Sequence, residues 1–197
     1  MPRRMEGKEA PAHDYRPDPH HHAGDAHVSR LRRPLHQAHR LPDPGRVPGD
    51  PVDLDVSDLP PRSVITADYL REQNGTIRSA DFVLFYTGWE RKWGTGAYYD
   101  DDFPVPDQEA AKYLVSCGLK GVGTDALSVD TLRDQQFLAL LDGGLVILES
   151  LCLKKVVGRT DLMLFALPLK FENADGAPVR AIAEFRDFPE EKEMEAL

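Results

Sequence analysis

The sequence predicts an α/β domain with a mixed sheet, preceded by a poorly ordered N-terminal segment. Between residues 52 and 148, strand-like runs alternate with helix-like runs, an order typical of parallel sheets with helices on their faces. Two strand-like runs then follow one another near the C-terminus, and strands joined by a short turn pair antiparallel. The sheet is therefore expected to contain both kinds of pairing.

Residues 1–50 differ in composition from the rest of the chain. They hold nine Lys/Arg, seven Asp/Glu, eight of the sixteen prolines and all seven histidines. Their sparse apolar residues follow neither the strand period nor the helix period. Such a segment buries too little surface to offset the entropy of ordering it. We therefore expect an atypical, poorly ordered segment over 1–50, a domain over 51–188 and a charged tail over 189–197.

The first part of the domain predicts two strands and a short helix. Residues 52–56 alternate apolar and acidic side chains, as a half-buried strand does. Thr66 is a residue type suited to an N-cap, and Tyr69 and Leu70 follow it inside a short helix. Residues 80–86 form a compact apolar run, which predicts a buried strand.

The remaining elements continue the alternation and then break it. Helices are expected over 108–117, where apolar residues share one face and Gly118 suits the C′ position, and over 132–141. One strand is expected to begin at 119–122, between these two helices. Three more are expected after the second helix, over 145–148, 162–171 and 179–185, and a turn at 173–176 joins the last two.

Overall composition argues against several classes of protein. The 197 residues suit one globular domain, and a net charge of −9 argues against nucleic acid as a partner. No apolar run approaches the roughly 20 residues that a membrane helix needs, so no membrane partner is expected.

The two cysteines, Cys117 and Cys152, form no disulfide framework. Since no export signal is evident, we expect them to be reduced, small core residues of a cytoplasmic protein.

Four stretches carry a resemblance to a known family. They are Phe85–Trp89, Gly121–Asp130, Val146–Leu151, and Ala166–Lys170 running on to Asn173–Ala181. In this order they resemble the cyclase family, which includes bacterial kynurenine formamidases and isatin hydrolases. The likeness covers about residues 52–186.

This resemblance implies a swivelling β/β/α fold and a divalent metal, zinc or manganese. It also implies hydrolysis of a small-molecule amide, such as N-formylkynurenine to kynurenine and formate in tryptophan catabolism, and a homo-oligomer. A bound metal would polarise the carbonyl and lower the pKa of its water toward neutrality.

The resemblance also implies metal ligands, and the chain matches them only in part. Glu149 matches the family's strand-end glutamate; a solvent-exposed glutamate at a strand end is the alternative interpretation. The N-terminal family motif, His-x-Gly-Thr-His-x-Asp-x-Pro-x-His, is broken. His22 matches its opening, His27 comes one residue late, and His36 matches the final Pro-x-His too far along the chain. The later family histidine falls at Phe137, which cannot ligate a metal.

These departures leave two alternatives to a working hydrolase. One is a non-catalytic relative that keeps the fold and lacks a complete metal site. The other is a truncated or frameshifted gene, in which residues 1–50 are read in a shifted frame. For His22, His27 and His36, a solvated histidine-rich tail is the alternative to the interpretation as metal ligands.

Several aromatic and acidic residues in or near the four family-like stretches have more than one interpretation. Phe82 and Phe85 are expected in the core, whereas Trp89 and Trp93 suit either core packing or an aromatic wall for a flat substrate. Asp125 and Asp130 are interpreted as residues that shape the site or as ordinary turn residues.

Overall fold

A computed structural model of the chain describes residues 29–32, 48–130, 137–172, 174 and 176–185. The strands are β1 (Ser29–Arg32), β2 (Pro48–Gly49), β3 (Pro51–Asp55), β4 (Val64–Ile65), β5 (Phe82–Tyr86), β6 (Val105–Pro106), β7 (Gly121–Thr124), β8 (Val146–Glu149), β9 (Leu162–Pro168) and β10 (Gly176–Phe185). The α-helices are α1 (Ala67–Glu72), α2 (Asn74–Ser79), α3 (Gln108–Ser116) and α4 (Phe137–Asp142). Two 3₁₀ helices, Trp89–Lys92 and Gly96–Tyr99, follow β5.

The main sheet is mixed, as the sequence predicts. Its strand order is β2-β9-β10-β1-β8-β7-β5-β3, and β4 and β6 form a separate parallel pair. Strands β3, β5, β7 and β8 run parallel. Strands β1, β2, β9 and β10 pair antiparallel. The expected α/β class with both kinds of pairing is confirmed.

The main sheet curls so that its two ends meet. Strands β2 and β3 stand at opposite ends of the strand order, yet only Asp50 separates them in sequence. Asp50 and Asp81 hold this corner, since each backbone N–H bonds to the other residue, at 3.1 and 2.8 Å. A Cβ on Gly49 would lie 2.7 Å from Asp81 Cβ, so the close approach requires glycine.

Two apolar clusters occupy the two faces of the parallel strands. The outer cluster packs α1, α3 and α4 against one face, with Val83, Phe85 and Ile147 at its centre. The inner cluster fills the curl of the sheet, where Phe82 and Leu148 meet side chains of β9 and β10. Adjacent residues of β5 thus serve different cores, which explains why the whole strand is buried.

Three helix ends follow from local residue types, and the predictions made for Thr66 and Gly118 are confirmed. Thr66 accepts a hydrogen bond from the Tyr69 N–H at 3.3 Å and caps α1. Asp107 caps α3 by accepting from the Ala110 N–H at 2.7 Å. Gly118 follows α3 with a φ of 78°, a conformation that favours glycine.

Some elements differ from the sequence pattern. The pattern predicted no strand within residues 1–50, yet β1 and β2 lie there and join the main sheet. Helix α2 and both 3₁₀ helices were also missed. Of the helix expected over 132–141, the structure describes the part from Phe137 onward. The tail over 189–197 and part of the turn at 173–176 lie outside the described residues.

Within the part of the chain that the structure covers, every helix is too short or too polar to cross a membrane.

Candidate functional site

The candidate site lies where the parallel strands end. The carboxyl ends of β5, β7 and β8 lie at one edge of the sheet, and this is where open α/β sheets bind ligands. Buried polar residues stand at these ends: Thr87 just after β5, Asp125 just after β7 and Glu149 as the last residue of β8. We call these three residues and the loops that follow them the carboxyl edge.

Glu149 is one of the most deeply buried side chains of the protein, with 1% of its surface exposed. The interpretation of a glutamate in solvent is therefore wrong. Its strand neighbour in β1 is Arg30, directly opposite in the antiparallel register. The next residue, Ser150, has a φ of 58°, which is rare for a residue with a side chain. Burying a carboxylate is costly, so this placement indicates a specific role.

Asp125 is fully buried and joins the ends of β5 and β7. Its Oδ1 accepts from the Thr87 N–H at 2.7 Å and from the Thr87 hydroxyl at 2.6 Å. Its Oδ2 accepts from the Glu90 N–H at 3.2 Å. Burial raises the pKa of Asp125 above its usual range, although the bonds from Thr87 oppose this effect. Asp125 thus fixes the positions of Thr87 and Glu90 in the site. Asp130, the other acidic residue considered in the sequence, is also buried.

Glu90 connects the loop after β5 to the loop after β8. Its carboxylate accepts from the Leu153 N–H at 2.6 Å and from the Lys154 N–H at 3.3 Å. Two further backbone bonds tie the β8 loop to the end of β7, because the Ser150 N–H and the Leu151 N–H donate to carbonyl oxygens there, at 2.8 and 3.0 Å. The three loops of the carboxyl edge are therefore held by one set of hydrogen bonds.

An aromatic group covers one side of the carboxyl edge. The Tyr98 hydroxyl bonds to the Asp125 carbonyl at 3.4 Å and to Ser150, while burial raises the pKa of Tyr98 to about 12. Trp89 is buried and donates its indole N–H to the Tyr98 carbonyl at 2.9 Å. Trp93 packs edge-on against Tyr98 with ring centroids 4.9 Å apart, and 46% of it remains exposed. Trp89 is therefore a packing residue, whereas Trp93 presents a ring to solvent.

Other sequence expectations have mixed outcomes. Phe82 and Phe85 are in the core, as expected. Cys117 is half-buried, but Cys152 is exposed, so its expected core position is wrong. It lies in the loop between the buried Leu151 and Leu153, where the backbone turns alternate side chains outward. Although the residue is exposed, its thiol is partly desolvated; this effect, and then the charge of Glu90, raises the pKa of Cys152 to about 11, which disfavours the thiolate that a nucleophile requires.

The proposed metal ligands divide between described and undescribed residues. Glu149 is described and buried, whereas His22, His27 and His36 lie outside the described residues. The side chain of Phe137 lies outside them too. Among the side chains that the structure does describe, no group of three or more His, Cys, Asp or Glu residues is arranged to hold a metal ion. The described residues therefore supply one carboxylate and do not complete a metal centre alone.

Sequence reasoning missed Glu90, Tyr98 and Ser150. Glu90 acts on backbone groups more than 60 residues away, so no local pattern marks it. Ser150 adopts a conformation that sequence patterns assign to glycine. Near these three residues, the one signal in the sequence was Asp125, an acidic residue directly after a predicted strand.

Comparison with known proteins places this arrangement in a family. The family described as putative cyclase matches residues 10–131, so the match begins inside the N-terminal segment rather than at residue 52. A kynurenine formamidase of Salinibacter ruber is 43% identical over 120 residues, which are 57% of this chain and 52% of that protein. The chain thus spans about half the length of this curated relative.

Two solved structures share the fold. An isatin hydrolase bound to the product analogue thioisatinate has a TM-score of 0.67 at 22% identity, over 79% of this chain and 70% of that chain. A protein described as a predicted metal-dependent hydrolase from Bacillus stearothermophilus has a TM-score of 0.61 at 26% identity, over 79% of this chain and 75% of that chain. The family match covers more than half of the residues of the present chain, and this chain therefore belongs to the cyclase family.

Proposed function

We propose that the chain is a metal-dependent amide hydrolase of the arylformamidase type. Its substrate would be N-formylkynurenine, and its products kynurenine and formate, within tryptophan catabolism. The observation that carries this proposal is the buried carboxylate of Glu149 at the carboxyl end of β8. The Salinibacter relative supports the formamidase activity, and the Bacillus structure supports the dependence on a metal.

Glu149 requires partners, because catalytic zinc sites use three protein ligands. We propose imidazoles from His22, His27 and His36 as the remaining donors. Strand β1 runs antiparallel to β8, so the chain enters β1 from the carboxyl edge. His27 precedes Ser29, the first residue of β1, by only two positions in the sequence. His36 follows the opposite end of β1, which makes it the weakest of the three candidates.

The chemistry divides between the metal and the protein. A zinc or manganese ion, when bound, would polarise the amide carbonyl and supply an activated water. The protein's residues orient the groups around it: Asp125 and Glu90 hold the loops of the carboxyl edge, and Tyr98 stays protonated as a packing and hydrogen-bonding group. The exposed ring of Trp93 offers a contact for an aryl substrate.

Three further features belong to the same proposal. The curled sheet is proposed to be the swivelling β/β/α domain of the family. The protein is proposed to act in the cytoplasm and to assemble as a homo-oligomer. Size-exclusion chromatography with light scattering tests the last of these, and a monomer at micromolar concentration would reject it.

The activity itself is tested with the purified chain. We expect formation of kynurenine from N-formylkynurenine after addition of zinc or manganese, and its loss after chelation. Glu149→Ala should remove this activity, whereas Glu109→Ala, which changes an exposed glutamate on α3, should not. A folded chain without turnover of any aryl formamide at saturating metal would reject the proposal.

A non-catalytic relative is the second candidate. Phe137 occupies the position of a family histidine, and the described side chains contain no complete metal cluster. This candidate predicts weak metal binding that Glu149→Ala leaves unchanged. Phe137→His separates the candidates further, because an added imidazole should increase metal affinity only if the other ligands converge.

A further inference from the structure

The loop after β8 begins in a conformation that needs support. Ser150 has a φ of 58°, a value that side chains disfavour. It directly follows Glu149, so a change in this turn would displace the end of β8 that carries the Glu149 carboxylate. Such strained backbone persists only where the surrounding structure holds it.

The Tyr98 hydroxyl bonds to Ser150 at the start of this loop, and Glu90 supplies the side-chain contacts to its far part. Its two carboxylate oxygens accept from the backbone N–H groups of Leu153 and Lys154. Hydrogen bonds from backbone N–H groups to a carboxylate are stronger than neutral ones. The Leu153 side chain is buried in the inner cluster, which anchors the far end of the loop.

Glu90 is itself held in place. Its backbone N–H donates to the buried Asp125 carboxylate at 3.2 Å. Asp125 also binds both the backbone and the hydroxyl of Thr87 at the end of β5. A continuous series of contacts therefore runs from the end of β5, through Asp125 and Glu90, to the loop that begins next to Glu149.

We propose that Glu90 is a positioning residue for Glu149. By fixing residues 150–154, it fixes the orientation of the Glu149 carboxylate and thereby the affinity of the metal site. This role rests on the proposed function, since it assigns Glu149 to the metal. Residues that orient metal ligands typically change metal affinity by about 10- to 100-fold when they are replaced.

The test compares three variants with the wild-type full-length chain. Glu90→Ala removes both acceptors, Glu90→Gln keeps one acceptor oxygen, and Glu109→Ala is the control for loss of an exposed glutamate. Amide hydrogen exchange at residues 150–154 and Mn²⁺ affinity by calorimetry are measured on each. We expect faster exchange and at least about tenfold weaker Mn²⁺ binding in Glu90→Ala, substantial recovery in Glu90→Gln and no change in the control. If Glu90→Ala fails to fold, Glu90→Asp replaces it, because the shorter side chain cannot span the same distance.

The outcomes distinguish this role from the proposed function. Faster exchange with unchanged Mn²⁺ affinity would reduce Glu90 to a loop cap and overturn the proposal. A wild-type chain that binds no Mn²⁺ would instead reject the metal-dependent function. In that case, the ¹³C chemical shift of the Glu149 side-chain carboxyl tests whether Glu90 positions Glu149. The shift must change in Glu90→Ala and return toward the wild-type value in Glu90→Gln. A shift that is the same in all three proteins rejects the positioning role.

Discussion

Asp125 connects burial to a pH dependence of stability. Because burial raises its pKa, the folded chain holds this proton up to a higher pH than the unfolded chain does. The associated stability is therefore fully present below the unfolded pKa, near 3.8, and is lost as the pH rises through the raised folded value. Burial in the folded chain favours the protonated carboxyl over the carboxylate, and the three hydrogen bonds that the carboxylate accepts offset part of this effect.

Asp125→Asn tests this coupling at the residue scale. Asparagine does not titrate, so we expect the difference in free energy of unfolding between wild type and variant to shrink as the pH is raised from about 4 to about 7. The variant should also be less stable throughout, by about 1–3 kcal/mol, because its amide N–H₂ must face a backbone N–H. Urea unfolding at several pH values measures both effects. A difference that is constant or grows with pH contradicts the assignment.

Trp93 provides a residue-scale prediction about substrate. Its ring is half-exposed beside the buried Tyr98, so its removal should cost little stability and weaken contact with an aryl ring. We expect Trp93→Ala to raise the KM for N-formylkynurenine several-fold, by roughly 1 kcal/mol of contact free energy, while kcat changes less. The KM for an aliphatic formamide is the internal control. An equal rise for both substrates would exclude an aromatic contact.

At the element scale, helix caps were predictable because their cause is local. Thr66 and Asp107 each accept a backbone N–H three residues ahead. Replacing either with alanine should lower the free energy of unfolding by about 1 kcal/mol. Thr76→Ala, an exposed position within α2, should be close to neutral or stabilising. Chemical denaturation checks these values, and equal losses at all three positions would show that capping is not responsible.

Strands differed in how well the sequence predicted them. The apolar runs that became β5 and β8 are buried on both faces, so composition alone marked them. Strands β1 and β2 carry no such pattern, and their hydrogen-bonding partners come from residues more than 100 positions away. Pairing partners, rather than local preference, decide such strands. The same reasoning explains why Asp125 could be marked from sequence and Glu90 could not.

At the scale of the whole molecule, the described part of the N-terminal segment, residues 29–32 and 48–50, joins the main sheet. Strand β1 lies between β8 and β10, and β2 joins β9 to the start of β3. The family match also begins at residue 10, inside this segment.

A truncation tests this view of the sheet. Removing residues 1–47 would leave β8 and β10 without the strand between them and expose two unpaired edges. We expect such a chain to aggregate or to unfold without a cooperative transition, whereas removing residues 1–20 should preserve cooperativity. Circular dichroism and light scattering report both properties. A stable, cooperative 48–197 fragment would contradict the placement of β1.

The most direct measurement concerns Glu149 and a divalent cation. Calorimetric titration of Zn²⁺ or Mn²⁺ into the full-length chain should show one tight site for each chain. Glu149→Ala should lose that site, while Glu109→Ala retains it and any loose binding by the histidine-rich segment stays the same in all three proteins. Equal affinity and stoichiometry in wild type and Glu149→Ala would contradict a metal site at the carboxyl end of β8.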